Sequence, residues 1–307
     1  MDWGLIAAGF GVGTIVGLTG MGGGALMTPI LVLFFGVPPL TAVSSDLVAS
    51  AVMKPVGSAV HIRRGGVDWR LVGWLCVGSV PAAFCGVLIS KALGNGVRVQ
   101  EVVQMALGIA LLLAVLGLVL RGYTRLRERS RRFRGAQAEH DTETPLVVRP
   151  LATVILGALG GVVVGMTSVG SGSLIIVALL ALYPMLRPNR LVGTDLVQAV
   201  PLVSAAALGH ILFGDFRFDL TTALLIGSIP GAFLGAQLSS RAPGGLIRRA
   251  LALVLLASAL KLLHVPNEMV GVVVVVALVA GTLGWMVLRR INGLPALARL
   301  ETRVNLI

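Results

Sequence analysis

The feature that most limits how this chain can fold is a series of long apolar runs along its whole length. Nine such runs occupy approximately residues 5–35, 41–60, 71–90, 101–120, 151–183, 191–212, 220–240, 246–263 and 269–288. A helix needs about 20 apolar residues to cross the hydrocarbon core of a bilayer. Only 12% of the residues are charged, about half the share usual in soluble domains. The sequence therefore predicts an all-α polytopic membrane protein.

The chain also repeats itself. Residues 17–26, GLTGMGGGAL, align with residues 165–174, GMTSVGSGSL, at an offset of 148. At an offset of 149, Ser45-Asp46 matches Thr194-Asp195, and residues 78–86 match residues 227–235. The order of the matches is preserved, so we expect two transmembrane repeats, at 1–120 and 150–266. A basic linker at 121–149 joins them, and an extra helix at 267–290 and a tail at 291–307 follow.

The first apolar run of each repeat, about 30 residues long with glycines near its middle, allows two topologies. If the run crosses the membrane once, the repeats face the same way. If it is a broken hairpin followed by three transmembrane helices, the repeats have inverted topology. With the eight linker arginines inside, the first topology divides lysine and arginine 13 to 11 and the second divides them 20 to 4. Positive charge gathers on the cytoplasmic side, so the charges favour inverted repeats with a cytoplasmic linker and C-terminus. The charge counts do not determine the orientation of the first hairpin, which is inferred from the repeat symmetry alone.

The formal net charge of +12 first raises the question of a nucleic-acid partner. The arginines, however, lie at the ends of apolar runs, which is typical of topology signals, so no nucleic-acid partner is predicted. The linker contains the arginines from Arg121 to Arg134, followed by Glu139, Asp141 and Glu143, and it lacks apolar periodicity, which is typical of a solvated segment. An alternative function follows from it: a membrane scaffold or assembly factor that recruits a partner through this basic linker.

The two glycine-rich breaks are predicted to form an anion site. Adjacent glycines expose successive backbone N–H groups, and a short helix after each break adds the positive end of its dipole. If the breaks enter from opposite faces, they meet near the midplane. The alternative is close helix packing through small residues, which recur every fourth position in two sets: Gly9, Gly13 and Gly17, and Gly157, Gly161 and Gly165. The predicted substrate-binding residues are Gly20, Gly22, Gly23, Gly24, Ser45, Thr167, Gly170, Ser171, Gly172, Ser173 and Thr194.

Charged residues inside apolar runs are the other candidates, because burying a charge in a membrane is costly. Asp46 and Asp195 are candidates for proton coupling, and the alternative is that each caps a helix N-terminus. Lys54 could neutralise Asp46 or hold an anion, or it could extend to the membrane surface. His61 and His210, at the ends of matching runs, are candidate proton relays or structural residues.

No spacing typical of a metal site or a catalytic triad occurs in the sequence. We therefore predict neither an enzyme nor a metal or other cofactor. The partners we expect are a small anionic substrate and the lipid bilayer, with protons and a second copy of the chain in a homodimer as open options.

At these residues the chain resembles the TauE/SafE sulfite exporter family. The resemblance rests on GLTGMGGGALMTP and GMTSVGSGSLIIV, on SSDLVAS and GTDLVQA, and on GSVPAAFCG and GSIPGAFLG, and it covers approximately residues 5–263. It implies a bacterial inner-membrane transporter for sulfite, sulfonates or related anions, with proton coupling and an anion site framed by the glycine turns. The second repeat departs from the glycine-rich pattern by placing Ser168, Ser171 and Ser173 where Gly20, Gly23 and Ala25 stand.

Overall fold

The computed structural model describes residues 3–19, 23–63, 65–92, 96–133, 148–170, 172, 174–183, 186, 188–214, 216–238 and 244–292. Within these residues the chain forms eleven helices and no strand, so the prediction of an all-helical fold is confirmed. The helices are α1 (Trp3–Thr19), α2 (Gly24–Phe34), α3 (Pro39–Arg63), α4 (Trp69–Ala92), α5 (Val97–Phe133), α6 (Pro150–Thr167), α7 (Leu174–Leu182), α8 (Pro188–Phe213), α9 (Phe218–Leu238), α10 (Gly244–Leu262) and α11 (Asn267–Ile291).

The first apolar run of each repeat contains two helices rather than one. α1 ends at Thr19 and α2 begins at Gly24, whereas α6 ends at Thr167 and α7 begins at Leu174. α2 has 11 residues and α7 has 9, which at 1.5 Å per residue makes each about 15 Å long. Neither helix alone crosses a hydrocarbon core of about 30 Å. Both glycine-rich segments therefore interrupt a helix, as the sequence predicts.

Six helices in the described part of the chain are long and apolar enough to cross a membrane: α4, α5, α6, α8, α9 and α11. α3 is as long as α11, but it carries several buried polar residues that lower its average hydropathy. It packs against α8 and α9, so protein rather than lipid surrounds these residues. The prediction of a multi-pass membrane protein is confirmed.

Helices of one repeat pack mainly against helices of the other. The most extensive interfaces join α1 to α9 and α4 to α6, and α3 packs along α8. A β-carbon at Gly157 would clash with the backbone of Leu75, and one at Gly161 would clash with the backbone of Ser79. Both contact positions move toward the C-terminus from the first pair to the second, so α4 and α6 run parallel. Glycines in α1 and α9 make equivalent contacts, so those two helices also run parallel. This close approach is the small-residue packing expected at helix interfaces in membranes.

The two helices that carry the aspartates run antiparallel. Ser58 of α3 donates a hydrogen bond to the carbonyl oxygen of Leu196 in α8 (2.9 Å). Fourteen residues earlier in α3, Ser44 lies 2.8 Å from His210, fourteen residues later in α8. α3 and α8 are equivalent helices of the two repeats, so their opposite directions bear on the topology of the chain.

α5 continues beyond the repeat boundary that we placed at residue 120. It remains helical through Phe133, and Ser130 donates a hydrogen bond to the carbonyl oxygen of Asn292 at the end of α11. The first part of the predicted linker is thus a helical extension that contacts another helix. Residues 134–147 of the linker and 293–307 of the tail lie outside the described residues.

Candidate functional site

The two helix breaks touch each other inside the bundle. Gly24, the first residue of α2, lies so close to Ser168 that a β-carbon at Gly24 would clash with the Ser168 carbonyl oxygen. Ser168 directly follows α6 and has a left-handed backbone conformation, with a φ of 58°. Both residues are buried. A glycine is therefore required at residue 24 by the approach of the second break.

Asp46 connects three parts of the bundle through hydrogen bonds. Its Oδ2 accepts one from the Ser168 hydroxyl (2.5 Å) and one from the Thr28 hydroxyl (3.0 Å). These donors belong to the second break and to α2, whereas Asp46 lies in α3. The helix begins at Pro39, so Asp46 is inside it and the alternative of an N-terminal cap does not apply. Hydrogen bonds to an ionised group are stronger than neutral ones, which makes Asp46 a firm link between these elements.

Asp195, the repeat equivalent of Asp46, is bonded differently. It is fully buried in α8, and neither of its carboxylate oxygens makes a hydrogen bond with a residue that the structure describes. The backbone N–H of Gly172, in the second break, faces the carboxylate without reaching hydrogen-bond geometry. α8 begins at Pro188, so the capping alternative does not apply here either. A buried polar group without a partner is costly, which marks Asp195 as a functional candidate.

Lys54 lies in the interior between the two aspartates. Its side chain is 8% exposed, and it interacts electrostatically with both Asp195 and Asp46. Since Ser58 is level with Leu196, Asp195 is roughly 20 Å from Asp46 along the helix axes at 1.5 Å per residue. The aspartates therefore do not lie side by side, and Lys54 occupies the space between them. This placement is not that of a lysine extending to the membrane surface.

His210 is a buried contact point for three helices. From α8, its Nε2 donates to the carbonyl oxygen of Gly165 in α6 (2.8 Å), and its Nδ1 lies 2.8 Å from the Ser44 hydroxyl in α3. These contacts fit the structural alternative, because they tie helices together near the second break. His61 lies in α3, and its side chain is outside the described part of the structure.

Two of the predicted hydroxyl ligands have structural partners. Thr194 accepts a hydrogen bond from the backbone N–H of Asp68 (2.9 Å), which docks α8 onto the α3–α4 loop. Thr167 donates to the Val163 carbonyl oxygen (2.6 Å) at the end of α6. Ser45 is buried, and its hydroxyl has no hydrogen-bond partner among the residues that the structure covers.

The predicted glycines lie at the breaks as far as they are described. Gly23 precedes α2, and its carbonyl oxygen accepts hydrogen bonds from Leu26 and Met27. Gly170 and Gly172 have φ angles of 132° and 101°, a region that favours glycine. Four predicted ligands lie outside the described residues: Gly20, Gly22, Ser171 and Ser173.

Three polar residues at this site were not among the predicted ligands. Thr28 and Ser168 hold Asp46, and the only sequence signal was that the second repeat has a serine where the first has Gly20. Gln198 lies one helical turn after Asp195 and is fully buried. Its Nε2 donates to the Ser79 hydroxyl (2.7 Å), whereas its Oε1 has no partner among the described residues. An amide in an apolar run, three residues after a candidate aspartate, is a signal that could have identified it.

A bundle of apolar helices, interrupted in its interior next to buried charges, defines a multi-pass membrane protein with an internal polar site. The profile of the family described as "Sulfite exporter TauE/SafE" matches residues 5–262. The chain belongs to this family, and the resemblance inferred from its motifs is confirmed. Membrane transport is therefore the function of its class.

Individual relatives agree with this assignment. The chain is 35% identical over 264 residues to "Probable membrane transporter protein YjnA" of Bacillus subtilis (strain 168), covering 86% of this chain and 100% of that protein. It is 27% identical over 242 residues to "Probable membrane transporter protein YdhB" of the same organism, covering 79% and 92%. A "Probable membrane transporter protein" of Xylella fastidiosa (strain Temecula1 / ATCC 700964) is 27% identical over 260 residues, covering 83% and 92%. No solved structure matches the chain.

Proposed function

We propose that this protein is a secondary transporter that moves a small anion across the bacterial inner membrane. The substrate we expect is sulfite, an organosulfonate or a related sulfur-containing anion, in line with the description of the family. The observation that carries the proposal is the contact between the two helix breaks, Gly24 against Ser168, beside the buried Asp46. Substrate sites in transporters with broken helices lie at such places.

The chemistry of the breaks favours a negatively charged substrate. α2 and α7 both begin at a break, and the first N–H groups of a helix, with the positive end of its dipole, attract anions. Lys54 adds a full positive charge in an interior where electrostatic interactions are stronger than in water. We propose that the anion binds between the two breaks, within reach of Lys54.

The helix directions support alternating access between inverted repeats. α3 and α8 are repeat-equivalent and antiparallel, which supports the proposal that the two halves run in opposite directions. With the basic linker on the cytoplasmic side, as the charge distribution favours, both the linker and the C-terminus are cytoplasmic. Rocking of the helices around the central breaks then exposes the same site to one side of the membrane at a time.

Flux measurements with purified protein in proteoliposomes test this proposal. The panel is sulfite, sulfoacetate, taurine, thiosulfate and simple carboxylates, each tested for thermal stabilisation of the protein and then for flux. We expect at least one sulfur-containing anion to give both. Lys54→Met removes the buried positive charge, and we expect it to weaken binding of that anion by about tenfold or more, equivalent to about 1.4 kcal/mol. Lys91→Met, at the exposed end of α4, is the control and retains flux.

Two outcomes contradict the proposal. If none of these anions stabilises the protein or is transported, the assignment of an anionic substrate is wrong. If anions bind without flux in either direction, the protein is a sensor or a scaffold rather than a transporter.

A further inference from the structure

The two aspartates of the repeated motif differ in their surroundings, and the inference drawn from this rests on the proposed transport function. We infer that Asp195, together with the Oε1 atom of Gln198, forms the site that takes up and releases the coupling proton. Asp46 is a positioning residue that holds the two helix breaks together and does not exchange a proton during transport.

The hydrogen bonds of the two carboxylates carry the inference. Asp46 accepts hydroxyl hydrogen bonds from Ser168 and Thr28, and these stabilise its ionised form. Asp195 is equally buried and accepts none from the described residues. A buried carboxylate that accepts no hydrogen bond from the described residues can satisfy one of its oxygen atoms by binding a proton. The structure thus contains one carboxylate that is held by hydroxyl donors, Asp46, and one that the described residues do not hold in this way, Asp195.

The sequence explains why the pair is unequal. At the offset of 148 that relates the breaks, Ile176 stands where Thr28 stands, and Gly20 stands where Ser168 stands. Asp195 therefore lacks both hydroxyls that hold Asp46. Gln198 corresponds to Ala49 at the offset of 149, so the second repeat also has an amide that the first lacks. The site around Asp195 therefore has neither of these hydroxyls and has an additional acceptor one turn away.

The chemistry of the unpaired atoms points to a proton rather than a metal cation. The carboxylate oxygens of Asp195 and the Oε1 of Gln198 are all acceptors, so their ligand must be a donor or a cation. Among the described residues, the charged groups that face Asp195 are Lys54 on α3 and Arg121 on α5, and no group of three or more His, Cys, Asp or Glu side chains lies there to coordinate a metal cation. A proton needs only one lone pair and forms an O–H that can itself donate a hydrogen bond.

Lys54 links the proton to the anion. When Asp195 is ionised, its negative charge interacts with Lys54. Proton uptake converts the carboxylate to a neutral carboxyl group, which removes one of the two carboxylate charges that Lys54 faces, so Lys54 attracts the substrate anion more strongly. Release of the proton restores the Asp195 charge, which competes with the anion for Lys54. Proton and anion therefore bind together, and one positive and one negative charge move in the same direction.

Infrared difference spectroscopy of the purified protein in lipid nanodiscs, recorded between pH 5 and pH 9, tests the proton site without any substrate. We expect a carboxyl C=O band that appears at low pH in the wild type and in Asp46→Asn, and that is lost in Asp195→Asn. Asp219→Asn, at an exposed position in the α9 start, is the control and retains the band. Loss of the band in Asp46→Asn with retention in Asp195→Asn, or its absence from the wild type, would overturn the inference.

Exchanging side chains between the repeats tests the cause and does not depend on removing either aspartate. Ile176→Thr places a hydroxyl at the repeat equivalent of Thr28, where we expect it to donate to Asp195, and we expect the low-pH band to weaken by about twofold or more because the donor stabilises the ionised form. The double variant Thr28→Val, Ser168→Ala frees Asp46, and we expect a second carboxyl band. An unchanged spectrum in both variants would show that the hydroxyls do not distinguish the aspartates.

The infrared and flux experiments test the proton site and the transport function separately. A proton band assigned to Asp195 with no anion transport leaves the proton site in place and contradicts the proposed function. Anion transport in which Asp195→Asn keeps its dependence on a proton gradient contradicts the inference and leaves transport in place.

Discussion

Ser168 and Ser228 are buried serines whose hydroxyl groups differ in hydrogen bonding, and we expect them to differ in their contribution to stability. Ser168 donates to the Asp46 carboxylate across the centre of the bundle. Ser228 in α9 is equally buried, but its hydroxyl has no partner among the described residues. Breaking a hydrogen bond to a charged group costs more than removing a hydroxyl that makes none. At the scale of residues, stability therefore depends on the partner rather than on burial alone.

Ser168→Ala is expected to destabilise the protein by about 1.5–3 kcal/mol, because Asp46 stays buried and keeps only the hydrogen bond from Thr28. Ser228→Ala removes a hydroxyl of the same size and is expected to leave stability unchanged or slightly raised. The measurement is thermal unfolding of both variants in the same detergent. Equal effects of the two substitutions would mean that the Ser168–Asp46 contact contributes no stability.

At the scale of elements, the interface between α4 and α6 depends on glycines, which have no side chain to separate the two helices. Gly157, Gly161 and Gly165 lie on one face of α6 and contact the α4 backbone directly. Without a hydrophobic driving force between helices in lipid, such close packing is a main source of association. The exposed α11 also contains glycines, but nothing lies within 4 Å of a β-carbon built at Gly281 or Gly284. The same residue type therefore has a packing role in one helix and none in the other.

Gly161→Ala is expected to lower stability by about 1–3 kcal/mol, because the new methyl group meets the Ser79 backbone, which cannot move without separating the helices. Gly284→Ala is the matched control and is expected to be neutral or slightly stabilising, since alanine has the higher helix propensity. Thermal unfolding and the yield of folded protein report both effects. A neutral Gly161→Ala variant would contradict the close packing of α4 on α6.

At the scale of the whole molecule, each repeat is incomplete without the other. α1 packs on α9 and α6 packs on α4. The two helices that lead into the breaks, α1 and α6, therefore have their main interfaces with the opposite repeat. The parallel pairs and the antiparallel α3 and α8 fit a two-fold axis that lies across the helices rather than along them. Such an axis places equivalent loops of the two repeats on opposite membrane faces.

Trp69 and Phe218 are repeat-equivalent first residues of α4 and α9, and they provide a matched pair for testing this orientation. In a background with Cys76 and Cys85 replaced by serine, Trp69→Cys is expected to react with an impermeant maleimide only from the cytoplasmic face. Phe218→Cys is expected to react only from the opposite face. Labelling of both positions from one face would mean that the repeats are parallel and would remove the proposed alternating-access mechanism.

Much of the fold could be predicted because it follows from local sequence. Nine apolar runs predicted nine helical segments, and clusters of adjacent glycines predicted where two of them break, since few other residues adopt the backbone angles at Gly170 and Gly172. The repeat at offsets 148 and 149 and the membrane class could also be read from the chain. The end of α5 could not be predicted from the chain, because its arginine-rich extension lacks apolar periodicity. Its Ser130 contacts the end of α11, which is distant in sequence.

The sequence by itself determined that this protein spans a membrane, that it is built from two related halves and that each half carries one aspartate inside an apolar run. It presented Asp46 and Asp195 as equivalents. Only the tertiary structure decided that they are not, because one of the two donors to Asp46, Ser168, lies 122 residues away in the other half, and the other, Thr28, lies in a different helix. Hydrogen bonding depends on positions in space, and the hydroxyls of Ser168 and Thr28 could be assigned to Asp46 only once the folded chain brings α2, α3 and the second break together.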